Sequence, residues 1–314
     1  MITTRTQPRR GFTLIEMLVV IAIIVVLVGL TASGVLRFYA SANRVANQND
    51  MNELSKALAE FKQKYSIYPP SRVLLSNDPA QYLTHPLAQE SLKSLTRIWP
   101  RIRFTTAPPD WAAGQHPSQQ RALAPGEKYA VVLEGDQCLV FFLGGVQDWS
   151  TGETIGFTDS PSNPISSGTR QKPFFDFKPT RLYQRTISVP NIAAQYQNPT
   201  RFYSYKDVYE ESPWVYFSSG TGVSSTSTYG DHCPSLGSTQ ENDPTKGLIP
   251  YKKAGSTGLF HSSKSFQLIS AGEDARFGFN NSNNVYNPNN PAVFGAGRDD
   301  ITNFHPVPLG VAAE

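Results

Sequence analysis

The chain has 314 residues, two cysteines and a formal net charge of +3 from 28 basic and 25 acidic residues. This nearly even balance gives no indication of nucleic-acid binding, which usually requires a strong basic excess. Three arginines lie in residues 1–11, which contain no acid, so the rest of the chain has 25 basic and 25 acidic residues and is formally neutral.

The amino terminus combines a basic tip, a glycine and one carboxylate with a long apolar run. Arg9–Gly11 comes directly before Phe12–Ile15, and the apolar run continues through Met17–Leu30 and more mildly through Thr31–Leu36. A run of this length can cross a bilayer as a helix. Glu16 interrupts it, and a carboxylate in hydrocarbon costs roughly 2.5 to 3.5 kcal/mol on insertion scales. We therefore expect Glu16 to have a partner.

The segment Gly11-Phe-Thr-Leu-Ile-Glu16 resembles the class III signal of type IV pilin-like proteins. In that family a prepilin peptidase cuts after the glycine and methylates the new amino terminus. The resemblance implies a leader of residues 1–11, cleavage between Gly11 and Phe12, and N-methylation of Phe12. Glu16 becomes the fifth mature residue, which in the family is thought to meet the amino-terminal charge of a neighbouring subunit and to set its axial register.

An ordinary secretory signal peptide is the alternative interpretation of the same segment. Arg5, Arg9 and Arg10 would form its basic region, with Ala32 or Ser33 near the cleavage site. That interpretation leaves Glu16 unexplained. In either case the basic residues before the apolar run hold that end in the cytoplasm and send the carboxy-terminal bulk to the outer face of the membrane.

One long helix is predicted after the leader. No proline occurs between Phe12 and about Lys64, and apolar residues recur at spacings of three and four at Met51, Leu54, Leu58, Phe61 and Tyr65. We predict that the first half of this helix lies in lipid or against sister helices and that its second half packs on a globular head. Tyr68-Pro69-Pro70 should end it.

The middle of the chain predicts short helices, a hairpin and long loops. A short helix is expected around Ala88–Ile98, and apolar strands at Tyr129–Leu133 and Cys138–Leu143 flank a turn at Glu134–Asp136. Stretches rich in glycine, proline, serine, threonine and asparagine follow, with strands expected at Arg181–Val189 and Trp214–Phe217. The Ser/Thr/Gly-rich segment Ser218–Tyr229 is expected to be a solvated loop, with a glycan attachment or a partner surface as the alternative.

The helix exit and the carboxy-terminal segment resemble the major pseudopilin of type II secretion. The helix sequence from Leu54 is followed by Tyr68-Pro69, and Pro250-Tyr251 precedes a strand that ends in Ser-Ala-Gly-Glu-Asp274 and an Asp299-Asp-Ile-Thr-Asn303 close. Residues of about 86–242 are an insertion that the short pseudopilins lack. Large-headed members of this layout are familiar from planctomycete-like bacteria, which suggests such a source.

The same resemblance implies a calcium site, because the family's loop between these segments binds calcium. Asp274, with Asp299 or Asp300, could supply carboxylate oxygens of the kind that calcium prefers. The sequence does not decide between Asp299 and Asp300, and an asparagine-rich stretch from Phe277 to Ala296 replaces the family's short loop. The alternative is that these aspartates cap turns through hydrogen bonds to the backbone.

Cysteines and histidines give two further expectations. Cys138 and Cys233 could form a disulfide outside the cytoplasm, and the alternative for Cys138 is a buried thiol on a strand. The five histidines are scattered singly, and His232-Cys233 alone does not make a zinc site. Without a nucleophile elbow or a phosphate-binding loop, we expect no enzymatic activity.

These observations predict an α+β, pilin-like protein with three parts: a cleaved leader of residues 1–11, a transmembrane and assembly helix of residues 12–64, and a head of residues 65–314. The head is expected to contain an antiparallel sheet and long loops. The expected role is a subunit of a type II secretion pseudopilus with its head in the periplasm. Expected partners are prepilin peptidase, identical and minor pseudopilins, the inner-membrane assembly platform and lipid. The alternatives are a type IV pilus or competence pilin, and a minor tip subunit with a ligand-binding head.

Overall fold

A computed structural model describes most of the chain. It covers residues 12–111, 128–148, 151–185, 187, 202–219, 248, 250–254, 259–278, 285–286, 295–305 and 307–310, without the side chains of residues 30–38, 40, 285 and 295–296. The helices are α1 (Leu14–Tyr65), α2 (Pro79–Thr84), α3 (Pro86–Ile98) and α4 (Gly135–Gly144). The strands are β1 (Val73–Ser76), β2 (Ala130–Leu133), β3 (Val146–Gln147), β4 (Thr154–Gly156), β5 (Leu182–Arg185), β6 (Phe202–Tyr205), β7 (Val215–Ser218), β8 (Lys252–Lys253), β9 (Phe266–Ser270), β10 (Val285–Tyr286) and β11 (Ile301–Thr302).

The long helix predicted from the sequence is α1. Its predicted apolar stripe is buried at Met51, Leu54, Leu58 and Phe61. The helix ends at Tyr65, and Ser66 adopts a left-handed backbone conformation with φ of 63° before the Tyr-Pro-Pro sequence. The chain divides into two compact units, Met1–Ala46 and Asn47–Glu314. The last five turns of α1 therefore belong to the head unit.

Antiparallel pairing dominates the described strands of the head. β1 pairs with β2, β3 with β4 and β5 with β6, and a three-stranded sheet has the order β11-β9-β7. β8 and β10 form a short parallel pair. Successive side chains of a strand point to opposite faces of the sheet. In the three-stranded sheet, Tyr216 and Leu268 therefore pack in the main core, while Val215 and Ile269 pack in a second apolar cluster. The predicted α+β class is confirmed.

The region predicted to be an insertion contributes to the main core. α4 packs against β6 and β7, and all of its residues are buried. Phe142 of α4 contacts Phe61 of α1 with ring centroids 6.0 Å apart, and Trp99, which directly follows α3, stacks on the same Phe142. Residues of this region therefore pack in the same apolar cluster as α1.

The predicted second strand of the 129–143 hairpin is wrong, because Cys138–Leu143 lies in α4. β2 is a strand as predicted, but it pairs with β1 rather than with the next segment. A short apolar run that is buried on every side shows no amphipathic period, so its sequence does not distinguish a strand from a helix. Gly145 ends the helix with φ of 77°, and its N–H donates to the Phe141 carbonyl at 2.9 Å.

Other predicted elements of the middle region are confirmed. The helix expected around Ala88–Ile98 is α3, and the strands expected near 181–189 and 214–217 correspond to β5 and β7. The stretch expected to be mostly loop also contains the β3–β4 and β5–β6 hairpins. Most of the Ser218–Tyr229 segment lies outside the described residues.

Candidate functional site

The first turn of α1 contains a reciprocal hydrogen-bonded pair. Thr13 immediately precedes the helix, and its backbone N–H and its hydroxyl both donate to Glu16 Oε2 at 2.8 Å. The Glu16 N–H lies 3.3 Å from Thr13 Oγ1. A threonine before the helix with a glutamate three residues later is a capping box, which satisfies N–H groups that have no partner within the helix. Thr-x-x-Glu is readable in the sequence, but sequence reasoning assigned Glu16 only to docking.

The part of α1 that follows this pair exposes apolar side chains around its whole circumference. Between Leu14 and Val28 the large apolar residues are 45 to 84% exposed in the single chain, and Phe12 is 77% exposed. A helix that is apolar all round is normally buried in a protein core or in a membrane. Among the described residues, however, none of the helices is long and apolar enough for a membrane crossing.

The carboxy-terminal motif is tied together around Asp300. Asp300 is buried, and its Oδ2 contacts the Tyr251 hydroxyl and accepts a hydrogen bond from the Gly278 N–H at 3.2 Å. The Tyr251 hydroxyl also lies 2.8 Å from the Gly278 carbonyl. Burial raises the pKa of Asp300 well above its ordinary value and raises the pKa of Tyr251 as well. The Pro-Tyr and Asp-Ile parts of the motif thus meet directly.

Asn303, near the end of the carboxy-terminal motif, bonds to the backbone of β9. Its side chain accepts from the Leu268 N–H at 2.9 Å and donates to the Phe266 carbonyl at 3.1 Å, so it extends the hydrogen bonding along β9. Gln267 of the same strand donates to the Tyr251 carbonyl at 2.8 Å and accepts from the Tyr251 N–H at 2.7 Å. These side chains hold the motif's segments together.

Of the three predicted calcium ligands, Asp274 and Asp299 contact each other, whereas Asp300 contacts Tyr251. The Asp274 N–H donates to Asp299 Oδ2 at 2.8 Å, while Asp274 Oδ1 accepts from the Arg276 N–H at 2.8 Å in the turn-capping manner considered as the alternative. Asp300 contacts Tyr251 instead, and its buried Oδ1 has no hydrogen-bond partner among the residues that the structure describes. Within the described residues no group of three histidine, cysteine or acidic side chains could hold a metal ion. The calcium site therefore remains a prediction.

Cys138 is buried in α4, and its thiol lies 3.6 Å from the Leu133 carbonyl. The alternative of a buried thiol therefore holds for burial but not for the strand, since the residue is helical. Cys233 lies outside the described residues, as does Gly11 of the predicted cleavage site. The disulfide and the cleavage remain predictions.

A buried ion cluster that sequence reasoning missed fixes α4 against the β5–β6 hairpin. Arg185 donates to both carboxylate oxygens of Asp136, through Nε at 3.0 Å and Nη2 at 2.6 Å, and its Nη2 also donates to Glu134 at 3.0 Å. Ser204 donates to Asp136 at 2.5 Å. The neighbouring carboxylates raise the pKa of Arg185 against the opposing effect of burial. The sequence predicts a turn at Glu134–Asp136, and its charges do not indicate a partner 49 residues away.

Comparison with known families matches residues 7–32 to the prokaryotic N-terminal methylation motif. No curated protein and no solved structure matches the chain. The matched segment includes the Thr13–Glu16 pair and the beginning of the exposed apolar helix. It supports a type IV pilin-like protein that a prepilin peptidase processes and that assembles with pilin-type subunits. It also suggests that the amino terminus is anchored in a membrane.

Proposed function

We propose that the protein is a large-headed structural subunit of a type II secretion pseudopilus, with α1 crossing the cytoplasmic membrane and the head in the periplasm. The observation that carries the proposal is the apolar surface of α1, exposed all round directly after the Thr13–Glu16 pair. Such a surface needs lipid before assembly and sister helices after it. The helix exit, the carboxy-terminal motif and the size of the head support the pseudopilin resemblance and its planctomycete-like source.

The geometry of Glu16 supports a docking role in this proposal. Removal of residues 1–11 makes Phe12 the methylated amino terminus, with a positive charge one residue before Thr13. Both hydrogen bonds from Thr13 use Oε2 of Glu16. An ionised carboxylate has about four acceptor positions, so Glu16 can keep its own Thr13 while it binds the amine of a neighbouring subunit. That pairing offsets the cost of burying both charges in the filament core.

The test compares exported proteins in a strain lacking the gene, the intact strain, and strains carrying Glu16→Ala or Glu16→Gln. The glutamine keeps an acceptor for Thr13 but removes the charge that would pair with an amine. We expect a set of exported enzymes to disappear from the culture medium in the deletion strain and in both variants. If export is unchanged while pilin-like proteins vanish from the sheared surface fraction, the type IV pilus alternative replaces the pseudopilus. If both fractions are unchanged, an assembly role of this kind is wrong.

We further propose that the carboxy-terminal motif binds calcium through Asp274 and Asp299, with Asp300 supporting the loop. The hydrogen bond between the backbone of Asp274 and the carboxylate of Asp299 supports this pairing. A cation that binds only the folded state raises the melting temperature. We expect calcium to raise it and a chelator to reverse the change, whereas Asp274→Ala should abolish the response and Asp176→Ala, at an exposed site elsewhere, should not. An unchanged melting temperature in the intact protein would exclude the site.

A further inference from the structure

A buried polar cluster joins α1 to the head at the first residue of the head unit. The Asn47 side chain donates to Ser270 Oγ at 2.8 Å and accepts from the Val208 N–H at 3.3 Å. The Ser270 hydroxyl in turn donates to Asp207 Oδ2 at 2.6 Å. Asn47, Ser270 and Asp207 are each 0% exposed. We refer to these three residues as the clamp.

Ser270 can donate only to Asp207. Its oxygen already accepts from Asn47 and from the Gly272 N–H at 3.2 Å, and a hydroxyl has one proton and two acceptor positions. The position of the Asp207 carboxylate therefore orients the hydroxyl that holds Asn47. A change in the charge of Asp207 therefore alters the hydrogen bond from Ser270 and, through it, the bond that holds Asn47 of α1.

In the described part of the chain, the buried carboxylate of Asp207 has no cation in direct contact. None of the ion pairs among the described residues includes it. Its Oδ1 accepts from the Tyr209 N–H at 3.1 Å. The charge that lowers its pKa is that of Arg181, which is already paired with Asp50 of α1 at 2.5 Å. Burying an ionised carboxylate with so little compensation is costly, and a proton removes that cost.

We propose that the clamp is proton-sensitive, so that binding of a proton by Asp207 strengthens the attachment of α1 to the head. Opening the clamp would let water reach the carboxylate, which then loses the proton more easily. Protonation therefore favours the closed arrangement by linkage. The proposal is independent of the choice between a pseudopilus and a pilus.

The surroundings of Asp207 favour its protonated form. Burial raises its pKa to about 6, against the lowering effects of the Ser270 hydroxyl, the Tyr209 and Glu210 N–H groups and the charge of Arg181. Because the pKa in the folded state lies above the ordinary value of 3.8, stability is gained as the pH falls through about 6. From β9 the neutral Ser270 hydroxyl contacts Asp207, and from α1 the neutral Asn47 is linked to it only through Ser270. The charged group that acts on Asp207 is Arg181, which is paired with Asp50 of α1.

The test uses the full chain in detergent micelles. Infrared difference spectra between the intact protein and Asp207→Asn isolate the protonated carboxyl band of Asp207. We expect that band to titrate with a midpoint near pH 6. Hydrogen exchange of α1 around residues 44–54, corrected for intrinsic rates, should be about tenfold slower at pH 5 than at pH 7.5, which is the ratio that a group with this pKa produces.

Matched variants separate Asp207 from other acids. Asp207→Asn should remove the pH response of exchange in residues 44–54, whereas Asp176→Asn, at an exposed position, should keep it. If Asp207→Asn does not fold, Ser270→Ala serves instead: the carboxylate loses a donor, so the infrared midpoint should move to higher pH. A midpoint near pH 4 in the intact protein, or an unchanged exchange response in Asp207→Asn, would overturn the proposal.

Discussion

Arg181 of the head and Asp50 of α1 form an ion pair with 2.5 Å between Nη1 and Oδ2, and both side chains are largely buried. Arg181 is held on its other side by the Lys206 carbonyl, which accepts from Nε at 3.0 Å and from Nη2 at 2.6 Å. Its guanidinium lies 4.3 Å from the ring centroid of Tyr205. Asp50 lies one turn after Asn47, so the same face of α1 makes both polar attachments to the head.

Asp50→Ala should destabilise the head by about 3 kcal/mol, at the low end of the range for breaking a buried pair, since Arg181 keeps the Lys206 carbonyl. Lys128→Ala is the matched control, because Lys128 pairs with Asp78 at 3.1 Å while its own side chain is 54% exposed. That change should cost less than about 1 kcal/mol. Denaturant unfolding of the full chain in micelles measures both. Equal effects of the two substitutions would contradict the assigned burial of the Arg181–Asp50 pair.

The Thr13–Glu16 pair predicts a difference between two small substitutions at Thr13. Thr13→Ser keeps a hydroxyl that can donate to Glu16, so filament assembly should remain near normal. Thr13→Val has a similar shape but removes the hydroxyl, which leaves Glu16 with only the backbone N–H of the pair. We expect weaker assembly of the valine variant, measured as less of the exported enzymes in the culture medium at equal amounts of processed protein. If serine and valine assemble equally, the hydroxyl has no role in positioning Glu16.

His261 should make the head less stable in acid. Its ring stacks on Phe304 with centroids 4.4 Å apart, and burial lowers its pKa to about 4, helped by the positive charges of Lys253 and His305. Because this value lies below the ordinary 6.5, stability present above pH 6.5 is lost as the pH falls toward 4. Asp207 acts in the opposite direction over part of the same range.

His261→Phe keeps a ring against Phe304 and removes the titration. The melting temperature of this variant, relative to the intact protein, should therefore rise as the pH is lowered from 7.5 to 5. Asp207→Asn should change in the opposite sense over the same interval, since the intact protein gains stability there from the proton on Asp207. A difference between His261→Phe and the intact protein that stays constant with pH would show that His261 does not titrate in this range.

Local patterns predicted the elements whose sequence period is unambiguous. The spacing of Met51, Leu54, Leu58 and Phe61 marks one face of a helix, and that face is buried. The strand prediction for Cys138–Leu143 is wrong because every side of α4 is buried. The segment therefore lacks the polar positions that would reveal a helical period. Its identity depends on β6 and β7, which come from distant parts of the chain.

In the candidate sites too, contacts between residues close in sequence were predictable and contacts between distant residues were not. Thr13 and Glu16 are three residues apart, so their capping pair is readable from the sequence. Arg185 meets Asp136 across 49 positions, and Asn47 meets Ser270 across 223. Such contacts arise from tertiary packing, and no local spacing indicates them. Asp274 is an intermediate case: the motif predicted that it lies near Asp299 or Asp300, with turn capping as the alternative, and the structure shows both a contact with Asp299 and a turn contact.

The last prediction concerns the end of α4. Alanine substitutions at two glycines with the same φ compare backbone strain alone with strain plus a steric clash. Gly145 and Gly152 both have φ of 77°. A Cβ on Gly145 would lie 2.4 Å from the Gly156 backbone, whereas one on Gly152 would meet only a Pro179 side-chain atom at 3.3 Å. Gly152→Ala should therefore cost about 1 to 2 kcal/mol from the left-handed conformation alone.

Gly145→Ala adds the clash with Gly156 to that strain. Backbone atoms cannot move aside as a flexible side chain can, so we expect a further loss of about 1 to 3 kcal/mol, as for overpacking in a core. Denaturant unfolding of the two variants in parallel measures the added cost at Gly145, which combines the clash with a backbone whose ψ of −140° lies outside the left-handed helical region. If the two alanines destabilise the head equally, the close approach of the α4 terminus to β4 is wrong, and with it the packing of the β3–β4 hairpin against α4.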